Sequence, residues 1–477
     1  MDRRTRIVAT IGPASNSRHG LIGLCEAGMD VARIGLAHGE AAEHACAIER
    51  VRRAATDTGR AVGVLIDLPG PKLRVAPSGD GPIDLATGQR VDLLCGAAAT
   101  VGSGIGVDDA TVAKDLRVGD RVVIGDGTIS LRVEAIDGAT VGAVVLAGGR
   151  IAGRPGIHVP SSRLRHAAPT ARDLELLRSL QSSEVDFVAV SFVRGADDLH
   201  RVRDALGSAR PLLVAKIETA AAVAALDEIL EASDAVMVAR GDLGLDCPLE
   251  DLPHLQKRII RRAIELGRVV ITATQMLESM ITNQAPTRAE VTDVANAVFD
   301  GTDAVMLSGE TAIGQDPRNV VTTMARLLER AEREADYLAW GGKLGKLQRR
   351  SQLTSSEAIT DVVTRAAWRA AVDLGAAAIV ACTTSGFTAR AMARFRPACR
   401  LVAATTSEVV AAQLLASWGV TTVKIERYET VDDIVWHAVE ATVRAGHVSS
   451  GETVVVITGS PSHRTGATDV MRVVEIA

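Results

Sequence analysis

A lysine and two carboxylates at the ends of two neighbouring apolar runs are the residues best suited to chemistry. One run closes with K-I-E-T at Lys216–Thr219, and the next closes with V-A-R-G-D-L-G at Val238–Gly244. Side chains two residues apart on an extended strand point to the same face, so Lys216 and Glu218 emerge together. With Asp242 at the neighbouring strand end, this set suits a hard divalent cation and an anionic substrate.

The elements that position these residues are short apolar runs, which alternate with segments of helical period such as Ala220–Glu231 and Leu252–Leu266. Eight alternating strands and helices predict an α/β fold with a (β/α)8 TIM barrel, whose chemistry sits at the carboxyl ends of its strands. The predicted strands are Arg6–Ile11, Asp30–Gly35, Ala61–Asp67, Asp186–Ser191, Leu212–Ile217, Ala235–Ala239, Val269–Ala273 and Asp303–Leu307. The polar residues at or after their ends are Arg33, Asp67, Arg74, Lys216, Glu218, Asp242, Thr274 and Glu310.

Two further domains are predicted around this barrel. From residue 74 to residue 158 the pattern changes to short alternating strands with turn signals, which predicts an all-β lid domain inserted at the catalytic mouth. The barrel would then comprise residues 1–73 and 159–340. After a basic, glycine-containing link at Gly341–Arg350, a second alternation of strands and helices predicts a doubly wound α/β domain over residues 341–477.

The composition excludes several other classes of protein. The chain has 477 residues, 47% apolar and 23% charged, which is typical of a folded protein of two or three domains. A net charge of −5 and only 2% aromatic residues give no basis for nucleic-acid binding. The six scattered cysteines, the absence of a signal-like start and the lack of an apolar run of about eighteen residues predict a cytoplasmic protein that does not enter membranes.

Several long motifs, in the right order, resemble the pyruvate kinase family over nearly the whole chain. They are R-T-R-I-V-A-T-I-G-P-A-S at 4–15, G-M-D-V-A-R at 28–33, V-D-F-V-A-V-S-F-V-R at 185–194, K-I-E-T, A-R-G-D-L-G, A-T-Q-M-L-E-S-M at 273–280, P-T-R-A-E-V-T-D-V-A-N-A-V at 286–298 and D-G-T-D-A-V-M-L-S-G-E-T at 300–311. The resemblance implies a barrel, an inserted lid and a C-terminal regulatory domain. It also implies a glycolytic phosphotransferase that uses phosphoenolpyruvate and ADP to give pyruvate and ATP, requires Mg²⁺ or Mn²⁺, and forms a homotetramer.

The resemblance gives the strand-end residues specific tasks. Lys216 would stabilise the transferring phosphoryl group, Arg33 would bind the substrate phosphate, and Thr274 would help to deliver a proton to the enolate. Glu218 and Asp242 would hold the divalent ion. Each residue also has an ordinary alternative: Lys216 as a solvated rim residue, Arg33 as an ion-pair partner, Thr274 as a packing residue and Asp242 as a helix N-cap.

The substrate carboxylate and the nucleotide would use other groups. The backbone N–H groups of Gly241 and Asp242 are suited to a carboxylate. By resemblance, His38 and Arg74 would line the nucleotide side, and Arg154 would contact a phosphate. The sequence has no G-x-x-x-x-G-K-[ST] motif, so we expect no P-loop.

The chain departs from the family around the monovalent-cation site. Gly35 and Ala37 stand where the family usually has asparagine and serine, and Leu68 and Lys72 stand where it often has threonine and glutamate. Asp67 remains as the one carboxylate. We therefore expect that K⁺ is not required and that the ammonium of Lys72 substitutes for it.

A hydroxyl-rich segment after a predicted strand of the C-terminal domain resembles an effector-phosphate loop. The loop residues are Thr383, Thr384, Ser385, Gly386 and Thr388, and Arg464–Thr468 resembles the facing loop. The alternative is an ordinary N-cap by Ser385. A phosphorylated effector is therefore a possible partner.

Two other functions stay open at this point. Another metal-enolate barrel enzyme would explain Glu218 and Asp242 but not the two additional domains. A catalytically weak paralogue that binds metabolites would explain the altered residues around Gly35.

Overall fold

The computed structural model describes residues 3–78, 81–100, 104–125, 127–160, 168–346, 355–426, 428–459 and 468–477. We number strands β1–β21 and helices α1–α17 along the chain. The helices are α1 Arg18–Ala27, α2 Ala41–Thr58, α3 Val112–Asp115, α4 Ala171–Ser179, α5 Ala196–Leu206, α6 Ala220–Ala224, α7 Leu226–Ala232, α8 Arg240–Asp246, α9 Leu252–Glu265, α10 Arg288–Asp300, α11 Gly309–Ala312, α12 Pro317–Glu334, α13 Tyr337–Lys346, α14 Ser355–Leu374, α15 Phe387–Ala393, α16 Glu408–Gln413 and α17 Val431–Arg444.

The first fold unit is a closed barrel of eight parallel strands, as predicted. Around the barrel the order is β1-β16-β15-β14-β13-β12-β3-β2. Most of these strands are Val-, Ile- and Leu-rich runs buried on both faces, because their inner side chains fill the barrel and their outer side chains pack under the helices. The strands are β1 Arg6–Thr10, β2 Val31–Gly35, β3 Gly63–Asp67, β12 Phe187–Val190, β13 Leu212–Ile217, β14 Ala235–Ala239, β15 Val269–Ala273 and β16 Ala304–Leu307.

The predicted insertion after the third strand is present and is built mainly from β-strands with their own apolar core. A six-stranded sheet has the order β11-β7-β8-β9-β5-β6, and β10 pairs with β4. The one departure from an all-β domain among the described residues is the single helical turn α3. The strands are β4 Ile83–Leu85, β5 Arg90–Cys95, β6 Gly104–Val107, β7 Arg121–Ile124, β8 Ile129–Asp137, β9 Thr140–Ala147, β10 Gly149–Ile151 and β11 Ile157–His158.

The C-terminal unit is a five-stranded sheet with helices on both faces, which confirms the predicted α/β pattern. Its order is β19-β18-β17-β20-β21, with only β21 antiparallel. Helices α14 and α15 pack on one face, and α17 packs on the other. The strands are β17 Ala378–Cys382, β18 Arg400–Thr405, β19 Val420–Lys424, β20 Thr453–Thr458 and β21 Val470–Glu475.

The link predicted from Gly341 is wrong up to Lys346, because these residues belong to helix α13. A Cβ atom at Gly341 would overlap the ring of Trp368, so the glycine permits close packing on α14 and does not mark a flexible segment. Trp340 Nε1 also donates a hydrogen bond to the carbonyl of Arg394 at 2.9 Å. The rest of the predicted link, 347–350, lies outside the described residues.

The C-terminal unit packs on the amino ends of the barrel strands, opposite the expected site. Arg396 Nη1 lies 2.7 Å from Asp303 Oδ1, just before β16, and Gln413 Nε2 donates to the carbonyl of Arg210, just before β13, at 2.7 Å. The insertion, in contrast, begins and ends at the carboxyl ends. In the part of the chain that the structure describes, no helix is both long and apolar enough to cross a membrane.

Candidate active site

Lys216 lies in a buried cluster of alternating charges at the carboxyl end of β13. Its Nζ lies 3.2 Å from Asp67 Oδ1 and 2.9 Å from Glu218 Oε1, and it donates to Ser191 Oγ at 2.7 Å. Burial alone would lower the pKa of Lys216, but the carboxylates of Asp67 and Glu218 raise it above that of a free lysine. The ammonium therefore stays protonated and fixed, in contrast to a solvated rim lysine.

Arg33 reaches the same cluster from β2. Its Nε and Nη2 lie 2.8 and 2.7 Å from Asp67 Oδ2, and its Nη1 donates to Thr10 Oγ1 at 3.0 Å. Burial would raise the pKa of Asp67, but the cations Lys216 and Arg33 lower it below its ordinary value. The alternative role of Arg33, as an ion-pair partner, is thus present in the structure, and its predicted contact with the substrate phosphate stays a prediction. The guanidinium group of Arg33 remains partly exposed and accessible to an anion.

Glu218 and Asp242 follow the neighbouring strands β13 and β14, and two carboxylates are a donor set suited to a divalent cation completed by substrate oxygens. Glu218 is fully buried, and its Oε2 accepts a hydrogen bond from the backbone N–H of Phe192 at 2.7 Å. Its Oε1, apart from the ion pair with Lys216, has no hydrogen-bond donor among the described residues. Burial raises the pKa of Glu218; Lys216 opposes this shift, and Asp242 adds to it.

No group of three or more His, Cys, Asp or Glu side chains that could hold a metal ion occurs among the described residues. The two carboxylates of Glu218 and Asp242 suit Mg²⁺, which commonly uses one or two protein carboxylates together with water and phosphate oxygens. Asp242 lies in the first turn of α8, where the helix dipole favours a negative charge. The helix N-cap is Ala239, so the alternative that Asp242 caps the helix is wrong.

Lys72 contacts the site at a different carboxylate from the one expected. Its Nζ lies 3.8 Å from Asp242 Oδ1, and the lysine side chain is 43% exposed. The Asp67 carboxylate is occupied by Arg33 and Lys216. No ion pair joins Lys72 to Asp67 in the described parts of the chain. The substitution of Lys72 for a monovalent cation therefore stays a prediction, with Asp242 as an unexpected partner.

Thr274 is held in a strained conformation at the end of β15. Its φ is +69°, and Gln275 and Phe192 at the same mouth have φ of +55° and +56°. Such angles cost on the order of 1–3 kcal/mol each for residues other than glycine, so the surrounding contacts must enforce them. Thr274 Oγ1 accepts a hydrogen bond from the N–H of Gly241 at 2.7 Å, and Arg240 Nη2 donates to the Thr274 carbonyl at 2.6 Å. The Gly241 amide predicted to bind a substrate carboxylate thus has an internal partner here.

The structure brings two of the three predicted nucleotide-side residues together. Arg74 Nη1 donates to the carbonyl of Arg154 at 3.2 Å, and Asp108 accepts from Arg154 Nη2 at 3.2 Å and from the backbone N–H of Arg74 at 3.0 Å. The third residue, His38, is exposed at the end of β2. Nε2 of the buried His44 ring lies 2.7 Å from the backbone carbonyl oxygen of His38.

A cleft of approximately 1120 Å³ separates the barrel mouth from the insertion. Lys72, Gly241, Asp242 and Thr274 line its barrel side, and Gly127 and Thr128 face them from the insertion. Its volume is sufficient for a nucleotide and a small acid together.

Models of two protein domains match almost the whole chain. The model of the pyruvate kinase barrel domain matches residues 2–321, and that of the pyruvate kinase alpha/beta domain matches residues 361–474. The chain belongs to the pyruvate kinase family.

Similar proteins called pyruvate kinase occur in several bacteria. The one from Geobacillus stearothermophilus is 41% identical over 99% of this chain and 80% of its own length. The one from Corynebacterium glutamicum is 40% identical over 99% of this chain and 98% of its own, and one from Mycobacterium tuberculosis is 39% identical over the same shares.

Within this pyruvate kinase fold, the predicted effector loop follows β17. Buried Thr388 Oγ1 lies 2.7 Å from Oγ1 of Thr468, so the loop does contact the segment predicted to face it. The remainder of that segment, 464–467, lies outside the described residues. Thr383 is buried and Thr384 is exposed.

The alternative that Ser385 is an ordinary N-cap is wrong. The N-cap of α15 is Gly386, at φ +78°, and Ser385 Oγ accepts only a long hydrogen bond, 3.4 Å, from the first helical N–H. The left-handed backbone conformation explains the glycine, because residues other than glycine rarely adopt this φ.

Two residues of this candidate site were missed in the sequence. Ser191 accepts from Lys216 Nζ, and its own Oγ donates to the carbonyl of Leu68 at 2.7 Å. Thr10 orients Arg33 through its hydroxyl. Their positions in the sequence were the available signal. Each hydroxyl stands at or just after the end of a barrel strand, and the neighbouring strand carries a residue that was assigned to the site.

Proposed function

We propose that this protein transfers the phosphoryl group of phosphoenolpyruvate to ADP, giving pyruvate and ATP. The observation that carries the proposal is the fixed ammonium of Lys216 between Asp67 and Glu218, with a third carboxylate, that of Asp242, close enough to raise the pKa of Glu218. A bond between phosphorus and the enol oxygen breaks, and a bond from a terminal ADP oxygen to phosphorus forms. The enolate then takes a proton at its methylene carbon.

A coupled assay with lactate dehydrogenase tests this function. Pyruvate should form only when phosphoenolpyruvate, ADP and Mg²⁺ are all present. Another metal-enolate enzyme would consume phosphoenolpyruvate without ADP, and a weak paralogue would form no pyruvate. The family membership and the relatives over 99% of the chain support the transferase and neither alternative.

The chain's own residues supply charge and position. Lys216 and Arg33 are two cations in one buried cluster, suited to the phosphoryl oxygens on which charge is spread during transfer. Thr274, held rigidly by Arg240, would deliver the proton, directly or through water. Arg74 and Arg154, at the root of the insertion, and His38, which follows β2 of the barrel, would contact the nucleotide.

A divalent cation, when bound, supplies charge neutralisation and an anchor for phosphate and carboxylate oxygens. Glu218 and Asp242 would hold it. The Lys216 ion pair keeps the buried Glu218 from being an isolated charge.

Exchange of Asp242 for asparagine should weaken metal activation. We expect Asp242→Asn to raise the Mg²⁺ concentration for half-maximal activity by at least about tenfold, because the amide removes one of two anionic ligands. Titration of activity with Mg²⁺ measures this. Exposed Asp251 is a matched control, and Asp251→Asn should behave as the wild type. An unchanged Mg²⁺ requirement in Asp242→Asn would remove Asp242 from the metal site.

We also propose that the loop 383–388 binds a phosphorylated metabolite. Ser385→Asp should abolish this binding by like-charge repulsion, whereas Ser450→Asp, at the opposite end of the sheet, should not. Isothermal titration with sugar phosphates and nucleoside monophosphates measures both variants. Absence of binding to the wild type, or equal binding to Ser385→Asp, would rule the site out.

The homotetramer and the cytoplasmic location are retained as proposals from the family resemblance.

A further inference from the structure

One carboxylate, that of Asp246, touches two other elements of the active-site mouth. Its Oδ1 lies 3.3 Å from His158 Nε2, and its Oδ2 accepts a hydrogen bond from the backbone N–H of Ala220 at 2.7 Å. Both side chains of the pair are largely buried, with 5% of Asp246 and 12% of His158 exposed. A buried carboxylate with such partners is costly to disturb.

Its contacts join the elements that carry the two proposed metal ligands. Asp246 stands four residues after Asp242 on α8, so both side chains project from the same face of the helix. Ala220 begins α6, two residues after Glu218, and Thr219 caps that helix through its own Oγ1. The bond from Ala220 to Asp246 therefore fixes the distance between the Glu218 and Asp242 elements.

The other contact of Asp246, with His158, belongs to the insertion. His158 lies in β11, the last strand before the chain returns to the barrel, and it pairs with Val123 of β7. A Cβ atom at Gly127 would lie 3.2 Å from Leu245 Cδ2, so the turn after β7 touches the same helix α8. His158 thus ties the root of the insertion to the metal-side helix.

We propose that Asp246 is a positioning residue that couples the inserted domain to the divalent-cation site. Through Ala220 it sets the spacing of the Glu218 and Asp242 elements, and through His158 it holds the insertion over the cleft. Cation binding and the closed position of the insertion then stabilise each other, since any such coupling is reciprocal. The inference rests on the proposed metal ligands but not on turnover.

The test uses Mn²⁺ alone, without phosphoenolpyruvate or ADP. Paramagnetic resonance measures the dissociation constant of Mn²⁺, with Asp242→Asn as the blank for other sites. Hydrogen exchange measures the amides of Ile157 and His158 with and without Mn²⁺. In the wild type, Mn²⁺ should slow exchange at these two amides.

Two variants separate the two halves of the proposal. Asp246→Asn should weaken Mn²⁺ binding about tenfold, a size typical of residues that support metal ligands, and should abolish the slowing of exchange by Mn²⁺. His158→Ala should also abolish the slowing, and by reciprocity its affinity for Mn²⁺ should fall by no more than the factor by which Mn²⁺ slows exchange in the wild type. This loss should be smaller than that of Asp246→Asn, because the bond from Asp246 to Ala220 remains in His158→Ala. Asp246→Glu should recover part of both effects.

The exposed carboxylate of Asp251 provides the control, and Asp251→Asn should match the wild type in both measurements. The proposal fails if Asp246→Asn retains wild-type Mn²⁺ affinity, or if His158→Ala retains the slowing. It also fails if Mn²⁺ does not slow exchange in the wild type. If Asp246→Asn does not fold, as judged by thermal melting, His158→Ala and Asp246→Glu still decide the question. Mn²⁺ affinity and hydrogen exchange do not depend on turnover, so a protein without transferase activity could still give every result expected here. Failure of this proposal and failure of the proposed function can therefore be distinguished.

Discussion

Exchange of Lys216 for methionine is expected to lower kcat roughly a thousandfold, or about 4 kcal/mol in the transition state. Nζ is fixed by Asp67, Glu218 and Ser191, so the charge is preorganised and needs no rearrangement during transfer. Methionine has a similar length but no charge. Metal binding should persist, because Glu218 and Asp242 remain in place.

Proton exchange separates this role from general damage to the site. Lys216→Met should retain exchange of the methyl protons of pyruvate with solvent much better than phosphoryl transfer, because exchange does not require charge stabilisation of a moving phosphoryl group. Proton magnetic resonance in D₂O measures exchange, and the coupled assay measures transfer. Lys257→Met, at an exposed lysine, is the matched control. Near-normal turnover in Lys216→Met would refute the assignment.

The second large effect concerns monovalent cations. The wild type should be active in tetramethylammonium buffer and gain less than about twofold on addition of K⁺, because Gly35, Ala37 and Leu68 supply no side-chain oxygen. Asp67 is already paired with two cations. Strong activation of the wild type by K⁺ would overturn the hypothesis.

The variant Lys72→Glu extends this prediction. It would place a carboxylate near Asp242, where the structure has an ammonium at 3.8 Å, and repulsion should lower kcat/KM by about tenfold or more. K⁺ should not restore the loss, because the missing oxygen ligands are not returned. Lys114→Met in the insertion serves as the control for loss of an exposed lysine. Full rescue of Lys72→Glu by K⁺ would show that the remaining groups still form a potassium site.

The sequence predicted the barrel and the place of its chemistry because each strand is an apolar run with polar residues at its end. The two-residue period of a strand was sufficient to predict that Lys216 and Glu218 point to the same face. The partners of these residues could not be predicted in the same way. Ser191 contacts Lys216 from the end of the neighbouring strand, and Lys72 contacts Asp242 from a loop, so both contacts depend on tertiary geometry.

The errors have the same origin. Gly341 suggested a link because glycine is common in loops, but here the missing side chain admits Trp368 in a helix-to-helix contact. Asp242 suggested an N-cap, but α8 begins immediately after β14 and places it inside the first turn. Local residue preferences indicate where the chain changes direction, and long-range packing decides which preference is realised.

The most direct test of the central claim is phosphorus magnetic resonance of the wild type with phosphoenolpyruvate, ADP and Mg²⁺ in one tube. The resonance of phosphoenolpyruvate should fall as that of the ATP γ-phosphate rises, one for one. Neither should change when ADP or Mg²⁺ is omitted. A constant phosphoenolpyruvate signal, or its conversion to inorganic phosphate without ATP, would contradict the account.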